Sequence, residues 1–280
     1  MIPMTPDGKP TPALLTRTAL ESASIPQITI SAGSKITPKL PYFETGLPFG
    51  KNISTEPGLE QSSVVHAIDY GKTVGRILAS CTNCLVIGEC VPGGTTTALA
   101  VMRGLGIDAR VSSSMPKNPQ SLKTEIVEKA LKRSDSKEPY DVIANVGDPM
   151  IPFVAGMLST ASEITNVILA GGTQMAAVLA LAKSTGYDKD RVAIGTTSYI
   201  INDNNANFLE TVKSISDIPV LSINPKLEDS KFDGLRAYSE GFVKEGAGAG
   251  GSMIASLLKT GMSSKKLLEL IDDEYSRITT

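Results

Sequence analysis

The feature that most constrains the fold is an alternation of short apolar runs with longer, helix-length segments. The runs are Ile28–Ala32, Cys84–Gly88, Asp141–Asn145, Asn166–Ala170, Arg191–Gly195 and Pro219–Ile223. Each is apolar nearly throughout, which is typical of strands buried on both faces of a parallel sheet. Strands that alternate with helices imply right-handed βαβ crossovers. The sequence therefore predicts an α/β fold with a doubly wound, mostly parallel, Rossmann-like sheet.

The segments between and beyond these runs predict the helices. They are Thr11–Ala23, Glu60–Ala79, Thr95–Leu105, Ser121–Lys132, Met150–Thr160, Thr173–Ser184, Asn205–Ser214, Gly250–Lys259 and Ser264–Ile278. The helices nearest the two termini predict a small helical appendage to the sheet. A chain of 280 residues is long enough for one large domain. We expect a single α/β domain over residues 1–280, with an irregular excursion at 33–57 and C-terminal helices at 250–280.

Charge and hydropathy exclude several classes of partner. The formal net charge is −2, from 27 basic and 29 acidic residues, which argues against a nucleic-acid partner. The longest apolar stretch, Val167–Ala182, is interrupted by glycines and polar residues and is too short to span a bilayer. The N-terminus has no basic region followed by an apolar run. We expect a cytoplasmic protein with no membrane partner.

The cysteines predict neither a metal site nor a cofactor. Cys81 and Cys84 form a CxxC, which could be a redox pair or half of a metal site. There is no second CxxC, and His66 is the only histidine, so a tetrahedral zinc site lacks ligands. We expect reduced thiols at the entrance to a strand. With Cys90 the cysteine count is odd, which agrees with a reducing compartment.

Glycine-rich or polar turns follow four of the predicted strands. In open α/β sheets the ligand binds outside the carboxyl ends of the strands, and small residues there let it approach the main chain. These turns therefore predict one shared crevice, although each glycine alone could simply cap an element. The candidate pocket residues in these turns are Gly88, Gly147, Asp148, Gly171, Gly172 and Thr197.

The segment Gly88–Thr97 predicts an anion site. It combines a buried strand, a glycine loop and three threonines that open a helix, so main-chain N–H groups, hydroxyls and the helix dipole would point toward an anion. The glycines do not have the GxGxxG spacing, and a Walker A loop would need lysine where Gly94 stands. A single phosphate is therefore favoured over a triphosphate. The candidate phosphate-binding residues are Gly93, Gly94, Thr95, Thr96 and Thr97.

A second glycine-rich segment, Glu240–Ser252, carries a carboxylate. Five glycines lie within this segment ahead of a predicted helix, which indicates a loop packed tightly against something. Glu245 and Gly246 lie in its middle and are candidate site residues. The alternative is a solvated carboxylate near a helix N-terminus.

Two motifs resemble one known family. GECVPGGTTTALA, residues 88–100, resembles the phosphate loop of nicotinate-nucleotide:dimethylbenzimidazole phosphoribosyltransferases. KEGAGAG, residues 244–250, resembles the segment of that family that bears its catalytic glutamate. The likeness extends over nearly the whole chain and is closest to the archaeal branch.

This resemblance implies an enzyme and a reaction. Phosphoribose would pass from nicotinate mononucleotide to a benzimidazole-type base, giving nicotinate and an α-ribazole phosphate for the lower ligand of cobamides. By the match, Glu245 is the general base and Glu89 a supporting carboxylate in the base pocket. Residues 93–97 would hold the 5′-phosphate. The family resemblance also implies a homodimer.

Departures from the family pattern keep alternatives open. Lys244 stands where the bacterial members have glycine, Ala247 replaces threonine or serine, and Ala170 replaces an aspartate that acts on the ribose side. The substitutions at Ala170 and Ala247 motivate a second hypothesis, a sensor that binds nicotinate mononucleotide without catalysis. A third, a small-molecule kinase with an atypical phosphate loop, is disfavoured by the missing lysine.

Overall fold

The computed structural model describes residues 3–5, 7–116 and 118–279. Residues 1, 2, 6, 117 and 280, which the domain prediction also includes, lie outside the described residues. The strands are β1 (Thr29–Ser31), β2 (Tyr42–Glu44), β3 (Cys84–Gly88), β4 (Asn166–Ala170), β5 (Val192–Thr197) and β6 (Val220–Ile223).

The helices are α1 (Ala13–Ser22), α2 (Gln61–Ala79), α3 (Gly94–Gly104), α4 (Gln120–Leu131), α5 (Pro139–Val146), α6 (Met150–Ile164), α7 (Thr173–Thr185), α8 (Ser198–Ile201), α9 (Phe208–Ile215), α10 (Asp233–Arg236), α11 (Ala249–Thr260) and α12 (Ser264–Thr279). Two short 3-10 helices lie at Lys189–Arg191 and Leu227–Asp229. Among these described residues no helix has both the length and the apolar character to cross a membrane.

The main sheet is parallel and brings three strand ends together. Strands β3, β4, β5 and β6 pair in chain order. The register sets Gly88 beside Ala170, and Ala170 beside Gly195, so the carboxyl ends of β3, β4 and β5 are adjacent. Strands β1 and β2 form a separate parallel pair. The prediction of an α/β fold with a parallel sheet is confirmed.

Helices cover both faces of the main sheet. On one face, α6 contacts β4 and packs against α2 and α7, and the core includes Phe153, Leu169 and Met175. On the other face, α11 contacts all four strands and packs against α1. Helix α12 joins α1 there, and a second core includes Leu15 and Met253. The terminal helices α1, α11 and α12 therefore form the helical layer on this face of the sheet.

The predicted strand Asp141–Asn145 is wrong, because this run lies in α5. Pro139 occupies the start of that helix, where its fixed φ is favourable and its missing N–H costs nothing. The buried apolar residues Val142, Ile143 and Val146 fall on one face of a helix. A run of five apolar-rich residues was too short to reveal that period. Gly147 and Asp148 consequently lie between two helices and not at a strand end.

The excursion at 33–57 is mostly irregular, as predicted, but it contains β2, which the sequence analysis missed. It folds back on the junction between α5 and α6. A Cβ placed on Gly50 would lie 3.3 Å from Cδ of Pro149 and 3.7 Å from Cα of Asp148. Gly33 has a φ of 80° and lies so close to the carbonyl oxygen of Pro48 that a Cβ would be 2.5 Å from it. The excursion therefore packs beside Asp148.

Candidate active site

Three carboxyl groups converge near the carboxyl ends of the strands. Glu89 directly follows β3, Asp148 precedes α6, and Glu245 lies in the loop before α11. Glu89 is 8% exposed, and its Oε2 accepts a 2.9 Å hydrogen bond from the Val91 N–H. The pKa of Glu89 is raised to about 7, mainly by burial. The hydrogen bond from Val91 limits the rise, and the negative charges of Asp148 and Glu245 add to it. Glu89 is therefore close enough to both Asp148 and Glu245 to be affected by their charges.

The Glu245 carboxylate is held by four donors. Its Oε2 accepts hydrogen bonds from the Thr197 N–H at 2.9 Å and the Thr196 hydroxyl at 3.3 Å. Its Oε1 accepts from the N–H groups of Gly246 and Gly250, both at 3.1 Å. Burial raises the pKa of Glu245 to about 7, and these hydrogen bonds limit the rise. Four donors match the roughly four lone-pair directions of a carboxylate, so its orientation is fully determined.

The loop around Glu245 carries backbone strain. Val243, Lys244 and Ala247 have φ values of 61°, 47° and 50°, in the region that side chains other than glycine rarely adopt. The Lys244 N–H donates to the Phe242 carbonyl and the Glu245 N–H to the Val243 carbonyl, each at 2.6 Å. Two successive bonds of this i to i+2 type describe tight γ-turns. Such strain costs about 1–3 kcal/mol per residue and persists where surrounding contacts impose it.

Glycines allow the start of α11 to touch the strand ends. A Cβ on Gly88 would lie 2.9 Å from Cα of Gly248, and one on Gly251 would lie 2.3 Å from Cβ of Ala170. A Cβ on Gly250 would lie 2.3 Å from the carbonyl carbon of Thr196. These close approaches bring the Gly250 N–H to Glu245. They also explain the glycine-rich sequence of this segment without requiring that each glycine meet a ligand.

The predicted phosphate loop opens α3 as expected. Gly93 precedes the helix with a φ of 76°, and no atom lies within 4 Å of the position that a Cβ would take. Among the described residues, the hydroxyls of Thr95 and Thr96 have no protein hydrogen-bond partner, and both residues are half-buried. Thr97 differs, because its hydroxyl lies 2.5 Å from Oδ2 of Asp148 and 3.0 Å from the Gly94 carbonyl. The first turn of α3 therefore offers two free hydroxyls.

Asp148 links this loop to α6. Its Oδ1 accepts hydrogen bonds from the N–H groups of Met150 at 3.1 Å and Ile151 at 3.3 Å, which caps the helix. Burial raises the pKa of Asp148, and the hydrogen bonds from Thr97 and the two N–H groups oppose that rise. Asp148 therefore joins Thr97, in the first turn of α3, to the start of α6.

The remaining predicted pocket residues have more varied surroundings. Thr197 is buried, and its hydroxyl donates to the Lys244 carbonyl at 2.7 Å. Gly246 packs near Pro12, and Gly147 packs against Ile143. The surroundings of Gly171 and Gly172 are the side chains of Met175 and Ile200 respectively. The structure joins Thr197 and Gly246 to Glu245 by hydrogen bonds, whereas Gly147, Gly171 and Gly172 make none to Glu89 or Glu245.

A buried cluster of charged side chains adjoins Glu245 through its neighbour Lys244, and the sequence did not predict it. Lys244 Nζ lies 3.0 Å from Oδ2 of Asp203 and donates to the Ser113 carbonyl, also at 3.0 Å. Lys123 Nζ donates to the Ser112 carbonyl at 2.9 Å. Burial and the neighbouring charge of Lys244 lower the pKa of Lys123 to about 8, against the attraction of Asp203. The only sequence signal was Lys244 itself, a lysine in a glycine-rich segment, because Asp203 lies in a polar stretch that resembles any loop.

The three cysteines are unpaired thiols. Cys81, Cys84 and Cys90 are all free and exposed. Within the part of the chain that the structure describes, no group of three or more His, Cys, Asp and Glu side chains is arranged to hold a metal ion.

Comparison with known proteins identifies the family. A family model described as phosphoribosyltransferase matches residues 44–198, which is more than half of the chain. The chain belongs to the phosphoribosyltransferase family. The matched segment of this phosphoribosyltransferase-family chain contains Glu89 and the threonines of α3, and it ends before Glu245.

Its relatives include archaeal proteins that are similar over almost the whole chain. A UPF0284 protein of Archaeoglobus fulgidus is 44% identical over 277 residues, which cover 99% of this chain and 79% of that protein. A UPF0284 protein of Sulfurisphaera tokodaii is 40% identical and covers 100% of this chain and 80% of its own length. The predicted similarity to archaeal members is confirmed.

Solved structures share the fold. A nicotinate-nucleotide-dimethylbenzimidazole phosphoribosyltransferase from Thermus thermophilus superposes with a TM-score of 0.64 at 18% identity, covering 91% of this chain and 74% of that one. A structure of CobT from the same organism gives 0.61 at 16% identity, covering 93% and 77% of the two chains. At this level of identity the likeness shows a common fold.

Proposed function

We propose that this protein transfers phosphoribose from nicotinate mononucleotide to a benzimidazole-type base, releasing nicotinate and forming an α-ribazole phosphate for cobamide lower-ligand assembly. The observation that carries the proposal is that Glu89 and Glu245 interact electrostatically, while the loop that follows Glu89 leads into the free hydroxyls of Thr95 and Thr96. Burial raises the pKa of both glutamates to about 7. Family membership and the likeness to the Thermus enzyme support the same reaction.

The reaction requires one base and one leaving group. A nitrogen of the azole attacks the ribose C1, and the bond from C1 to the pyridine nitrogen breaks, so that its electron pair stays on nicotinate. The other azole nitrogen loses its proton to the Glu245 carboxylate. A base is most effective when its pKa lies near the working pH, which suits a glutamate with a pKa of about 7.

The hydrogen bonds of Glu245 select the oxygen that takes the proton. Three of its four donors are main-chain N–H groups, which cannot accept a hydrogen bond. The fourth is the Thr196 hydroxyl, which can rotate and become an acceptor. We therefore assign proton uptake to Oε2, with Thr196 releasing that oxygen as the proton arrives. Glu89 supplies a second carboxyl group, whose negative charge would favour an oxocarbenium-like transition state.

The donor phosphate is assigned to the start of α3. Main-chain N–H groups and the helix dipole favour an anion at this position, and the Thr95 and Thr96 hydroxyls have no protein partner among the described residues. Asp148 and the turns that carry Gly147, Gly171 and Gly172 would complete the nucleotide pocket. No metal or cofactor takes part in this assignment.

The replacement of an aspartate by Ala170 is compatible with catalysis. Ala170 is fully buried beneath α11. A Cβ added to Gly251 would lie 2.3 Å from the Cβ of Ala170. The small side chain thus accompanies the close approach of α11 that brings the Gly250 N–H to Glu245. This packing favours an enzyme over a sensor that has lost catalysis.

A direct assay separates these functions. The protein is incubated with nicotinate mononucleotide and a panel of azoles that includes dimethylbenzimidazole, and ribosylated product and free nicotinate are measured by mass spectrometry. Glu240→Gln is a matched control, since Glu240 is an exposed glutamate in the same segment. Product from the wild type and Glu240→Gln supports the transferase. Donor binding without product from any azole would support the sensor, and no binding would contradict the choice of donor.

The assembly and the location follow from the same resemblance. We propose a cytoplasmic homodimer of one α/β domain per chain. Light scattering tests the dimer, because one chain has a mass of 29.4 kDa. A mass of about one chain would contradict the dimer without affecting the assignment of the glutamates.

A further inference from the structure

We infer that the buried ion pair between Lys244 and Asp203 is a positioning device that fixes the Glu245 carboxylate for proton removal. The inference rests on the proposed function, in which Glu245 is the general base. Lys244 and Asp203 do not touch the reacting atoms in this account. They act through the conformation of the strained loop.

The Lys244 side chain has two buried partners, and further hydrogen bonds fasten the loop around it. Lys244 and Asp203 are 5% and 8% exposed, and their charged atoms are 3.0 Å apart. The Ser112 hydroxyl donates to Asp203 Oδ2 at 2.5 Å, and the Ser113 carbonyl accepts from Lys244 at 3.0 Å. The Val243 N–H donates to the Ser114 carbonyl at 2.8 Å. The loop before Glu245 is thus fastened to residues 112–114 and to Asp203.

Asp203 is ionised in this arrangement. Burial tends to raise its pKa, but the hydrogen bonds from Ser112, Lys244 and the Asn205 N–H outweigh burial, so the pKa of Asp203 is lowered. The partner of Lys244 is therefore a carboxylate at neutral pH. Such a pair breaks at considerable cost, because removing one member leaves a buried charge without a counterion.

Thr197 connects the anchor to the base. Its hydroxyl donates to the Lys244 carbonyl at 2.7 Å, while its N–H donates to Oε2 of Glu245 at 2.9 Å. A change in the left-handed conformation of Lys244, whose φ is 47°, would move both acceptors relative to Thr197. The carboxylate would then lose the bond that aims Oε2. The ion pair holds the side chain of Lys244 in place and so sustains this conformation.

This role explains a buried pair that stability alone does not. Buried ion pairs contribute little net stability compared with apolar residues of similar size, since desolvation offsets their attraction. Lys123 adds a second buried cation near Lys244, so the cluster contains two lysines and only one carboxylate, Asp203. The position of this cluster beside a strained loop is explained if its role is to hold the loop in that conformation.

Two single variants and their double test the inference. Lys244→Gly removes the cation but keeps a residue that adopts positive φ freely. Asp203→Asn removes the charge without changing the shape of the side chain. Lys226→Gly is the matched control, because Lys226 is also left-handed, with a φ of 56°, but is exposed and forms no ion pair within the described residues.

The variants are compared by kcat, by the Kd of nicotinate mononucleotide from calorimetry, and by Tm. We expect Lys244→Gly and Asp203→Asn each to lower kcat by about 10- to 100-fold, since small misplacements of a catalytic group have effects of this size. The Kd should stay within about twofold of the wild type. The double variant should be no slower than the slower single variant, because both act through one contact. Lys226→Gly should match the wild type.

A folded Lys244→Gly or Asp203→Asn protein with wild-type kcat would overturn the inference, even if its Tm were lowered. If Lys244→Gly does not fold, Asp203→Asn alone decides the outcome.

Glu245→Gln in the same assay separates a failure of the proposed function from a failure of the positioning role. Turnover that survives Glu245→Gln contradicts the proposed function itself. Turnover that is lost in Glu245→Gln but kept in both ion-pair variants contradicts only the positioning role.

Discussion

The main-chain N–H of Thr197 donates a 2.9 Å hydrogen bond to Oε2 of Glu245, and this bond joins the end of β5 to the loop before α11. The N–H of Gly250, in the first turn of α11, holds the other carboxylate oxygen at 3.1 Å. The Glu245 carboxylate is therefore held by main-chain atoms of a strand and a helix. Glu89 follows β3 in the same sheet, so the relative position of the two glutamates is set by the fold and not by flexible side chains.

The rate should depend on pH through the glutamate pair. Burial raises the pKa of Glu245 to about 7, and a general base must be deprotonated to act. We expect kcat/KM to fall about tenfold per pH unit below an apparent pKa near 7 and to level off above it. Because Glu89 and Glu245 interact, this apparent value belongs to the pair. A profile measured from pH 5 to 9 tests this, and a rate that stays constant from pH 5 to 8 would contradict it.

Glu89 should make the protein less stable as the pH rises. Its pKa is raised from 4.5 to about 7 in the folded state, so folding is favoured by the bound proton below pH 4.5 and this contribution is lost as the pH rises through about 7. The Glu89→Gln variant has no titrating carboxyl at this position, so its free energy of unfolding does not fall for this reason. The difference in unfolding free energy, variant minus wild type, should therefore grow by about 3 kcal/mol at most between pH 5 and 8.

Urea unfolding of both proteins at pH 5 and pH 8 measures this difference, in which titrating groups that do not interact with Glu89 cancel. A difference that is the same at both pH values would show that the Glu89 carboxyl is not perturbed by burial.

The free hydroxyls at the start of α3 should contribute to donor binding. A hydrogen bond to a charged group is worth about 1.5–3 kcal/mol, so Thr95→Ala and Thr96→Ala should each raise the Kd of nicotinate mononucleotide by roughly tenfold or more. Calorimetry measures both. Thr73→Ala is the control, because Thr73 is an exposed threonine of α2 that bonds only to the Asp69 carbonyl within the described chain. An unchanged Kd in both variants would place the phosphate elsewhere.

The contact between α11 and β4 should tolerate no added atoms. Gly251→Ala would place a Cβ 2.3 Å from Cβ of Ala170, and overpacking of this kind costs about 1–3 kcal/mol or more. Ala170→Asp, which restores the residue of the bacterial pattern, should likewise destabilise the protein and lower activity. Thermal unfolding with activity measurement checks both variants. An Ala170→Asp protein with wild-type Tm and higher kcat would contradict the interpretation that the small Ala170 side chain is needed for the close packing of α11.

Local pattern predicted much of the fold. The strands Cys84–Gly88 and Asn166–Ala170 were predicted with the observed bounds, because each is a short apolar run that ends in glycine or alanine before a turn. The run Asp141–Asn145 looked the same but is helical, since Pro139 starts a helix and only tertiary burial distinguishes the two. Strand β2 was missed because its three residues form a strand only by pairing with β1.

Less of the candidate site than of the fold could be predicted from the sequence. Glu89 and Glu245 were predicted through the family resemblance, since glutamates in glycine-rich loops are otherwise as well explained by solvated carboxylates. The structure places Glu245 near enough to act electrostatically on Glu89, and the roles of both remain predictions. Asp203 could not be found, because it lies far from Lys244 in sequence and becomes its partner only when the chain folds. The packing role of Gly251 was equally hidden, since it depends on the close approach of Ala170.

The most direct test of the account is the turnover of Glu245→Gln relative to the wild type and to Glu240→Gln, at pH 8, with the acceptor that gives most product. Glutamine keeps the shape of the side chain but cannot take up the proton. We predict a loss of about 10²- to 10⁴-fold in kcat for Glu245→Gln, with an unchanged circular dichroism spectrum and with Glu240→Gln fully active. A folded Glu245→Gln protein that turns over at the wild-type rate would contradict the assignment of Glu245 as the base.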